Sequence, residues 1–565
     1  MLMRNKEARS NTTLISFILI IIISSIIISF TLPSTTNTPV NYEWIVKNAS
    51  SFYLMMITIL IIAFTNFTLL LHRDMEHNNV LTNLYFTILM MYQSMLAFIT
   101  FTKSPYRDVF LHGGSVKYLL DKGTLPMETA EVAWPSSYYL QAIFVTISGF
   151  NIVFSNGLLY VFVSVLLVIT IILLAKLLLV SLNIHKFEIL LASSILMYYA
   201  QFNHYNSFLH YCRAQLGLSM LILVYYIFIK LLQERKYPYS NIIPLLLLLG
   251  NLFYTHPFYS VLYLGSIIFV VLTLYTPRIL HTVAQNSQSH SFQRLVTEII
   301  ALSLTLFLII NLVQSNFSIN MLYAHIVKGI TRDILEFASG VTQVREKLPL
   351  LGEIVRIVWK AMLIFMLILS ILHSYVSLSI FKQNLGIAER LFLGHALSSI
   401  ALFLLFLYVP GFTGRTISFL AIPLAYYSIQ TIILFMKRYK RYITALLVLL
   451  HILSLISFTI SNMLVFFDPP ISGRVALDDV IKPLYQVFNN TVNVRIVFLQ
   501  SSPLYILARY FATYEDKVFI FETLKDTAVS LFMCIPSIDT PTCKNVLNSN
   551  SLIINAGAVY GIYLQ

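Results

Sequence analysis

Long apolar runs separated by short polar connections dominate the chain. At 1.5 Å per residue, a helix needs about 20 apolar residues to cross roughly 30 Å of hydrocarbon. Runs of this kind fall near 13–32, 51–71, 80–102, 157–182, 187–202, 213–232, 239–254, 257–276, 295–313, 361–380, 391–409, 415–435 and 443–466. They predict an all-α polytopic membrane protein of about 13 spans. The pattern changes after Phe466-Phe467-Asp468-Pro469-Pro470, where the chain becomes mixed and turn-rich. Val492–Gln500, Lys517–Glu522 and Ser551–Ala556 read as short buried strands, with helical stretches near 475–488 and 502–512 between them. A small α/β domain is expected there.

One more apolar segment, 136–154, is long enough to be a span but changes the sidedness of everything after it. Basic residues on short connections mark the cytoplasmic side. With the N-terminus cytoplasmic and 136–154 lying on the membrane surface, the cations sort cleanly. Arg73, Lys176, Lys186, Lys230, Arg235, Lys236, Arg278, Arg294, Lys382, Arg390, Lys437, Arg438, Lys440 and Arg441 then face the cytoplasm. The short outer connections near 33–50, 203–212, 255–256 and 410–414 hold or adjoin only Lys47, Arg213 and Arg415. Counting 136–154 as a crossing turns every later basic cluster outward. The expected organisation is a two-helix extension over 1–79, a transmembrane core over 80–467 with outer loops 103–156 and 314–360, and an extracytoplasmic domain over 468–565. The run at 13–32 follows Arg4, Lys6 and Arg9, and no small-x-small cleavage site follows it, so it reads as an uncleaved anchor.

Composition agrees with a multi-pass protein of the cell membrane. The 565 residues are 58% hydrophobic and only 11% charged, against about 25% charged in soluble domains. The formal charge of +13, from 37 basic and 24 acidic residues, invites a nucleic-acid reading. Topology accounts for it instead: even Lys437-Arg438-Tyr439-Lys440-Arg441 lies at the cytoplasmic end of a span. Three cysteines exclude a disulfide scaffold; Cys534 and Cys543 lie nine apart in the outer domain, where a disulfide is permitted, and Cys212 sits at a span end. Asn48, Asn316 and Asn489 begin Asn-x-Ser/Thr triplets outside the spans, while Asn66 falls within one.

Polar groups are costly in hydrocarbon, so their grouping is informative. Under this topology they collect on the outer side. The loop after 80–102 runs Lys103-Ser104-Pro105-Tyr106-Arg107-Asp108-Val109-Phe110-Leu111-His112-Gly113-Gly114. Asp108 and His112 share a face if the stretch is helical. Asn203-His204-Tyr205-Asn206, His210 and Arg213 belong to the next outer turn, Tyr254-Thr255-His256-Pro257 to another, and Pro410-Gly411-Phe412-Thr413-Gly414-Arg415 to a fourth. Each alone reads equally as a cap, a solvated charge or an arginine snorkelling to headgroups. Their common side is what singles them out.

The first outer loop resembles that of the GT-C superfamily, polytopic glycosyltransferases that use polyprenyl-phosphate sugars. The resemblance is carried by Arg107-Asp108 after a span, by Tyr118-Leu119-Leu120-Asp121-Lys122-Gly123-Thr124-Leu125-Pro126, and by Trp134-Pro135-Ser136-Ser137-Tyr138-Tyr139-Leu140 leading into Ile143–Gly149. That order is similar to the family's acidic residue, Gly-x-x-Pro turn and Pro-led aromatic segment lying on the membrane. Thr255-His256-Pro257 and Gly414-Arg415 resemble positions of archaeal members, and the likeness covers roughly 80–435. Two spans precede the one that usually opens the family's chain. Asp108 is flanked by Arg107 and Val109 rather than by a second acid, so no metal is favoured. The Trp-Trp-Asp-Tyr-Gly motif of oligosaccharyltransferases is absent, which argues against en bloc transfer to asparagine.

The resemblance implies hexosyl or pentosyl transfer from a polyprenyl-phosphate donor to a glycan, lipid or protein acceptor at the outer face. Such a reaction requires a base for the acceptor hydroxyl and positive charge for the departing phosphate. Asp108 is the candidate base, and His112 and His256 are expected either to orient it or to contact phosphate. Arg415, Arg213 and His256 are the candidate donor-phosphate contacts, since a guanidinium fork suits phosphate oxygens. A divalent ion is not required where arginine supplies the charge. The loop 314–360, with Leu322–Ile326 and Ile330–Phe337, is expected on the surface as a cover or as an ordinary interfacial helix. The competing classes are a transporter or flippase of lipid-linked material and a membrane assembly protein. A transporter should show paired repeats and polar residues at the midplane, whereas here polar groups gather on one side.

Overall fold

The computed structural model describes residues 107–125, 134–150, 152–180, 213–234, 239–279, 290–313, 357, 361, 364–373, 386–405, 419–420, 422–432, 495–499, 518–521, 530–534, 552–556 and 559–564. The described part is mostly helical. The expected spans at 13–32, 51–71, 80–102, 187–202 and 443–466, and the loop 314–360 apart from Ile357, lie outside the described residues.

The segment after residue 102 forms two short helices, α1 (Arg107–Lys122) and α2 (Ser136–Ser148). Helix α1 ends at Gly123, whose φ of 73° and N–H bonded to the Leu119 carbonyl make the left-handed stop that only glycine adopts without strain. Pro135 leads α2, its carbonyl accepting from the Tyr138 and Tyr139 N–H groups, and Gly149 closes it at φ 68°. With 13 residues α2 is about 20 Å long, short of a crossing. Helix α3 (Ile152–Val180) follows at once. The boundary at Gly149 therefore corrects the sequence reading: the segment expected to end at 154 ends at Ser148, and the span expected from 157 begins at Ile152.

The two faces of α2 are arranged inside out relative to a helix of a water-soluble protein. Ser137, Tyr138, Gln141 and Ala142 are buried, whereas Tyr139, Ile143 and Ile147 are exposed, Ile147 by 81%. Val116, Leu119, Leu125, Tyr138, Ala142 and Ile152 form a small core joining α1, α2 and the start of α3. Gln141 ties the corner further, donating to the Ile152 carbonyl at 3.1 Å and accepting from Asn156 at 3.5 Å.

Helices α4 (Arg213–Glu234), α5 (Tyr239–Thr255), α6 (Pro257–Ile279), α7 (His290–Val313), α8 (Ile364–His373), α9 (Ile387–Leu405) and α10 (residues 422–432) complete the described bundle. The 19-residue stretches Ala214–Leu232 and Ile387–Leu405 are long and apolar enough to cross a membrane. Large apolar side chains such as Phe162, Leu247, Leu272, Leu308 and Leu404 are exposed, while Ser219, Ser266, Ser303 and His395 are fully buried. That is the distribution a lipid solvent selects, since lipid tails give apolar helices no reason to hide from them.

Contacts fix the running directions. Thr255 meets Met220, Tyr259 meets Gly217, and Tyr225 meets Ser266. Helix α5 thus runs antiparallel to α4 and α6 runs parallel to it, with the reversal made at the single residue His256. Helix α9 returns antiparallel to α6: Arg390 donates to the Thr273 carbonyl, Gly394 lies against Phe269 and Ser266, and Ser398 lies against Gly265. Glycine and serine at this crossing let the two backbones approach closely, which is how helices associate tightly without hydrophobic drive. Helix α10 lies beside α9 and α8, with Tyr427 donating to the Glu389 carbonyl and Ser428 to the Met366 carbonyl.

A mixed five-stranded sheet occupies the C-terminal hundred residues: β1 (Arg495–Leu499), β2 (Val518–Phe521), β3 (Ser530–Cys534), β4 (Leu552–Ala556) and β5 (Val559–Leu564), in the order β2-β1-β3-β5-β4. Strand β1 is parallel to both β2 and β3, and β5 is antiparallel to both β3 and β4. Parallel neighbours need long crossovers; the helices expected at 475–488 and 502–512 lie outside the described residues, as does Cys543. Strands β1, β2 and β4 fall where the apolar runs placed strands, and β3 and β5 are additions.

Candidate functional site

Two groups of side chains stand out. The first belongs to the α1–α2 unit. Residues 107–122 are helical, so positions 108 and 112 lie one turn apart on a common face. Asp108 is described at its backbone only. His112, half-buried, is hydrogen-bonded through Nδ1 to the Tyr138 hydroxyl at 2.8 Å, and the two rings are tilted at a centroid separation of 5.6 Å. Tyr138 is itself almost wholly buried in the small core beneath α2. It fixes the orientation of His112 from a site 26 residues away.

The second group lies at the end of the bundle where α5 turns into α6. His256 occupies the corner, and Pro257 opens α6 at the position where a missing N–H costs nothing. The reversal is tight because His256 N–H bonds the Leu252 carbonyl while the His256 carbonyl accepts from the Ser260 N–H and Oγ. The imidazole packs tilted against the Tyr259 ring at 4.8 Å and the Phe258 ring at 5.7 Å. Its Cβ lies 3.0 Å from where a side chain on Gly217 would start. Gly217 is one turn into α4, on the same face as Arg213, the first residue of that helix. Arg213 is described at its backbone only; its position lies one helical turn from Gly217, the residue against which His256 packs.

Phe419 closes this end. Its ring lies edge-on to Tyr259 at 5.4 Å and 5.8 Å from Phe258. Arg415 lies outside the described residues, as do His204 and His210. Of the five predicted residues, then, position 213 and His256 come together, His112 is pinned by Tyr138, and position 108 shares the His112 face.

Sequence reasoning missed Tyr138, Gly217, Tyr259, Phe419 and His395 as supports. His395 had a signal, since an imidazole inside an apolar run is costly unless satisfied. Gly217 and Phe419 had none, because their importance arises only from tertiary contact. Among the described residues no three His, Cys, Asp or Glu side chains come together as a metal site requires.

No family model and no curated protein matches the chain. Among solved structures the chain is similar to the Archaeoglobus fulgidus oligosaccharyltransferase in complex with Zn and sulfate, at 11% identity and a TM-score of 0.46, over 73% of this chain and 58% of that one. It is similar to ArnT from Cupriavidus metallidurans bound to undecaprenyl phosphate at 8% identity and a TM-score of 0.46, over 84% of this chain and 97% of that one. A further similarity is to the same oligosaccharyltransferase tethered with an acceptor peptide containing the NVT sequon, at 10% identity and a TM-score of 0.43, over 77% and 63%. The chain thus spans less than two thirds of the oligosaccharyltransferase's length.

Proposed function

We propose that the protein is a membrane glycosyltransferase of the GT-C type, which transfers a sugar from a polyprenyl-phosphate donor to an acceptor at the outer face of the cell membrane. The observation that carries this reading is the gathering of position 213, His256 and Phe419, the residue four beyond Arg415, at one end of the helix bundle. One-sided chemistry on a lipid phosphate needs its cations at a single headgroup level. Alternating access instead needs them near the midplane. The short α1–α2 unit supports the same reading, because α2 is too short to cross and turns its apolar face outward, as a helix lying on lipid does.

In this reading Asp108 takes the proton from the acceptor hydroxyl as that oxygen attacks the anomeric carbon. The bond from the anomeric carbon to the phosphate oxygen breaks, and the electron pair leaves with the polyprenyl phosphate. Arg415 and Arg213 receive that charge as bidentate partners, and His256 contributes a further hydrogen bond. His112, held by Tyr138, orients the base. The sheet of the last hundred residues belongs to an outer α/β domain that binds the acceptor or braces the spans.

The test is transfer by the purified, membrane-reconstituted protein. Asp108→Asn abolishes transfer while the protein stays inserted and folded, and Arg415→Ala raises the KM for the lipid donor more than that for the acceptor. Wild-type turnover by Asp108→Asn overturns the role of the base, and a tag at residue 108 found on the cytosolic side overturns the proposal as a whole.

A further inference from the structure

His395 is completely buried in α9, and both of its ring nitrogens are engaged. Nε2 lies 2.9 Å from the Phe419 carbonyl oxygen. A carbonyl only accepts, so Nε2 carries the hydrogen. In the neutral ring Nδ1 is then the acceptor, and it takes the hydrogen of the Tyr225 hydroxyl at 2.7 Å. The Tyr225 oxygen also lies 2.8 Å from Ser266 Oγ, whose other partner is the Leu262 carbonyl. Tyr225 is completely buried too, and its ring meets the His395 ring edge-on at 5.7 Å. Three helices, α4, α6 and α9, thus meet in a hydrogen-bonded set that sets the tautomer of one imidazole and aims its N–H at a single backbone carbonyl.

That carbonyl belongs to the residue that closes the site. Phe419 meets Tyr259 edge-on, and the Tyr259 ring packs tilted against His256. We infer that His395 is a positioning residue: its Nε2–H fixes the Phe419 backbone so that the Phe419 ring holds Tyr259 and His256 in place at the donor end of the bundle. Without this bond the Phe419 carbonyl loses a partner in the buried core, and the ring loses the anchor that sets its edge against Tyr259. The inference rests on the proposed function only where it assigns His256 to the donor site.

Carbethoxylation of His256 by diethylpyrocarbonate, followed by mass spectrometry on the full chain in nanodiscs, reads the positioning directly, with His112 as the internal reference. His395→Phe keeps an aromatic ring, larger by one atom, and removes the donor; it raises the His256 rate relative to His112 about fivefold, the effect of losing one buried hydrogen bond. His395→Gln, whose amide donates to the Phe419 carbonyl and accepts from Tyr225, restores most of the wild-type rate. Tyr225→Phe is isosteric, so it tests the same chain should His395→Phe fail to fold: with no donor at Nδ1 the ring is free to move its hydrogen there, and the His256 rate rises less than in His395→Phe. An unchanged rate in His395→Phe, or in Tyr225→Phe where His395→Phe does not fold, overturns the inference. Binding of a C55 polyprenyl monophosphate to the same samples separates the two claims. A raised His256 rate with affinity weakened about fivefold supports both. A raised rate with unchanged affinity supports the positioning role and removes His256 from the donor site.

Discussion

Tyr138 and His112 are joined by a 2.8 Å hydrogen bond between the phenol oxygen and Nδ1, which binds helix α2 to the face of α1 that carries position 108. Tyr138→Phe removes one hydrogen bond and leaves the ring packed in the core formed by Val116, Leu119 and Ala142. The expected loss of stability is about 1 kcal/mol, measured as unfolding in detergent. If His112 orients the base, transfer falls about fivefold with the donor KM unchanged. A donor KM that rises in step with the loss of turnover would assign Tyr138 to binding instead.

Gly217 is where α4 makes room for the corner. A methyl group there would lie 2.7 Å from Tyr259 Cδ2 and 3.0 Å from His256 Cβ, both in a tightly folded reversal. Gly217→Ala therefore displaces His256 and costs about 1–3 kcal/mol. Gly250→Ala in α5 is the control, because its nearest neighbour would be Leu306 Cδ2 at 4.0 Å, and alanine is the better helix former. The melting temperature should fall for the first variant and hold or rise for the second. Equal melting temperatures would show that the corner yields without cost.

The helical skeleton and the candidate site were legible to different degrees for physical reasons. Apolar runs of about 20 residues announce spans because lipid tolerates little else, and α4, α5 and α6 fall within three residues of their expected bounds. The break at Gly149 was half legible. The charge pattern argued against a crossing, but only the left-handed glycine shows that the chain stops at Ser148 and restarts at Ile152. The pairing of Tyr225 with His395, 170 residues apart, had no local signature. Strand β5 was hidden by Gly561 inside its run. Position 213 and His256 were grouped from sequence by membrane side alone, and Gly217, which makes them neighbours, looked like any glycine of an apolar helix.

The crossing of α6 and α9 rests on Gly394. A Cβ added there would meet Phe269 Cβ at 2.8 Å and the Ser266 Cα and carbonyl oxygen at 2.9 Å. Two of these atoms are backbone and cannot rotate away, so Gly394→Ala must push the helices apart. The adjacent His395–Tyr225 bond then lengthens. The expected cost is about 3 kcal/mol, at the upper end for overpacking. It should appear as a lower melting temperature and as faster tryptic cleavage in detergent. A variant as stable as the parent would mean that α6 and α9 slide freely past each other.

The outward face of α2 gives a direct test of how this segment meets lipid. Tyr139, Ile143 and Ile147 recur at four-residue spacing on the exposed side, and the helix covers only about 20 Å. A helix lying in the interface holds such residues about 5–10 Å deep, at the boundary of headgroups and acyl chains. If 136–154 crossed the bilayer, Ile147 would sit near the midplane instead. Ile147→Trp, in a protein whose Trp44, Trp134 and Trp359 are replaced by Phe, reports its depth by fluorescence quenching in brominated lipids. Lipids brominated near the headgroup should quench it more strongly than lipids brominated deep in the chain. The reverse order would make the segment a span, turn every later basic cluster to the outer side, and place His256 and position 213 on the cytoplasmic face.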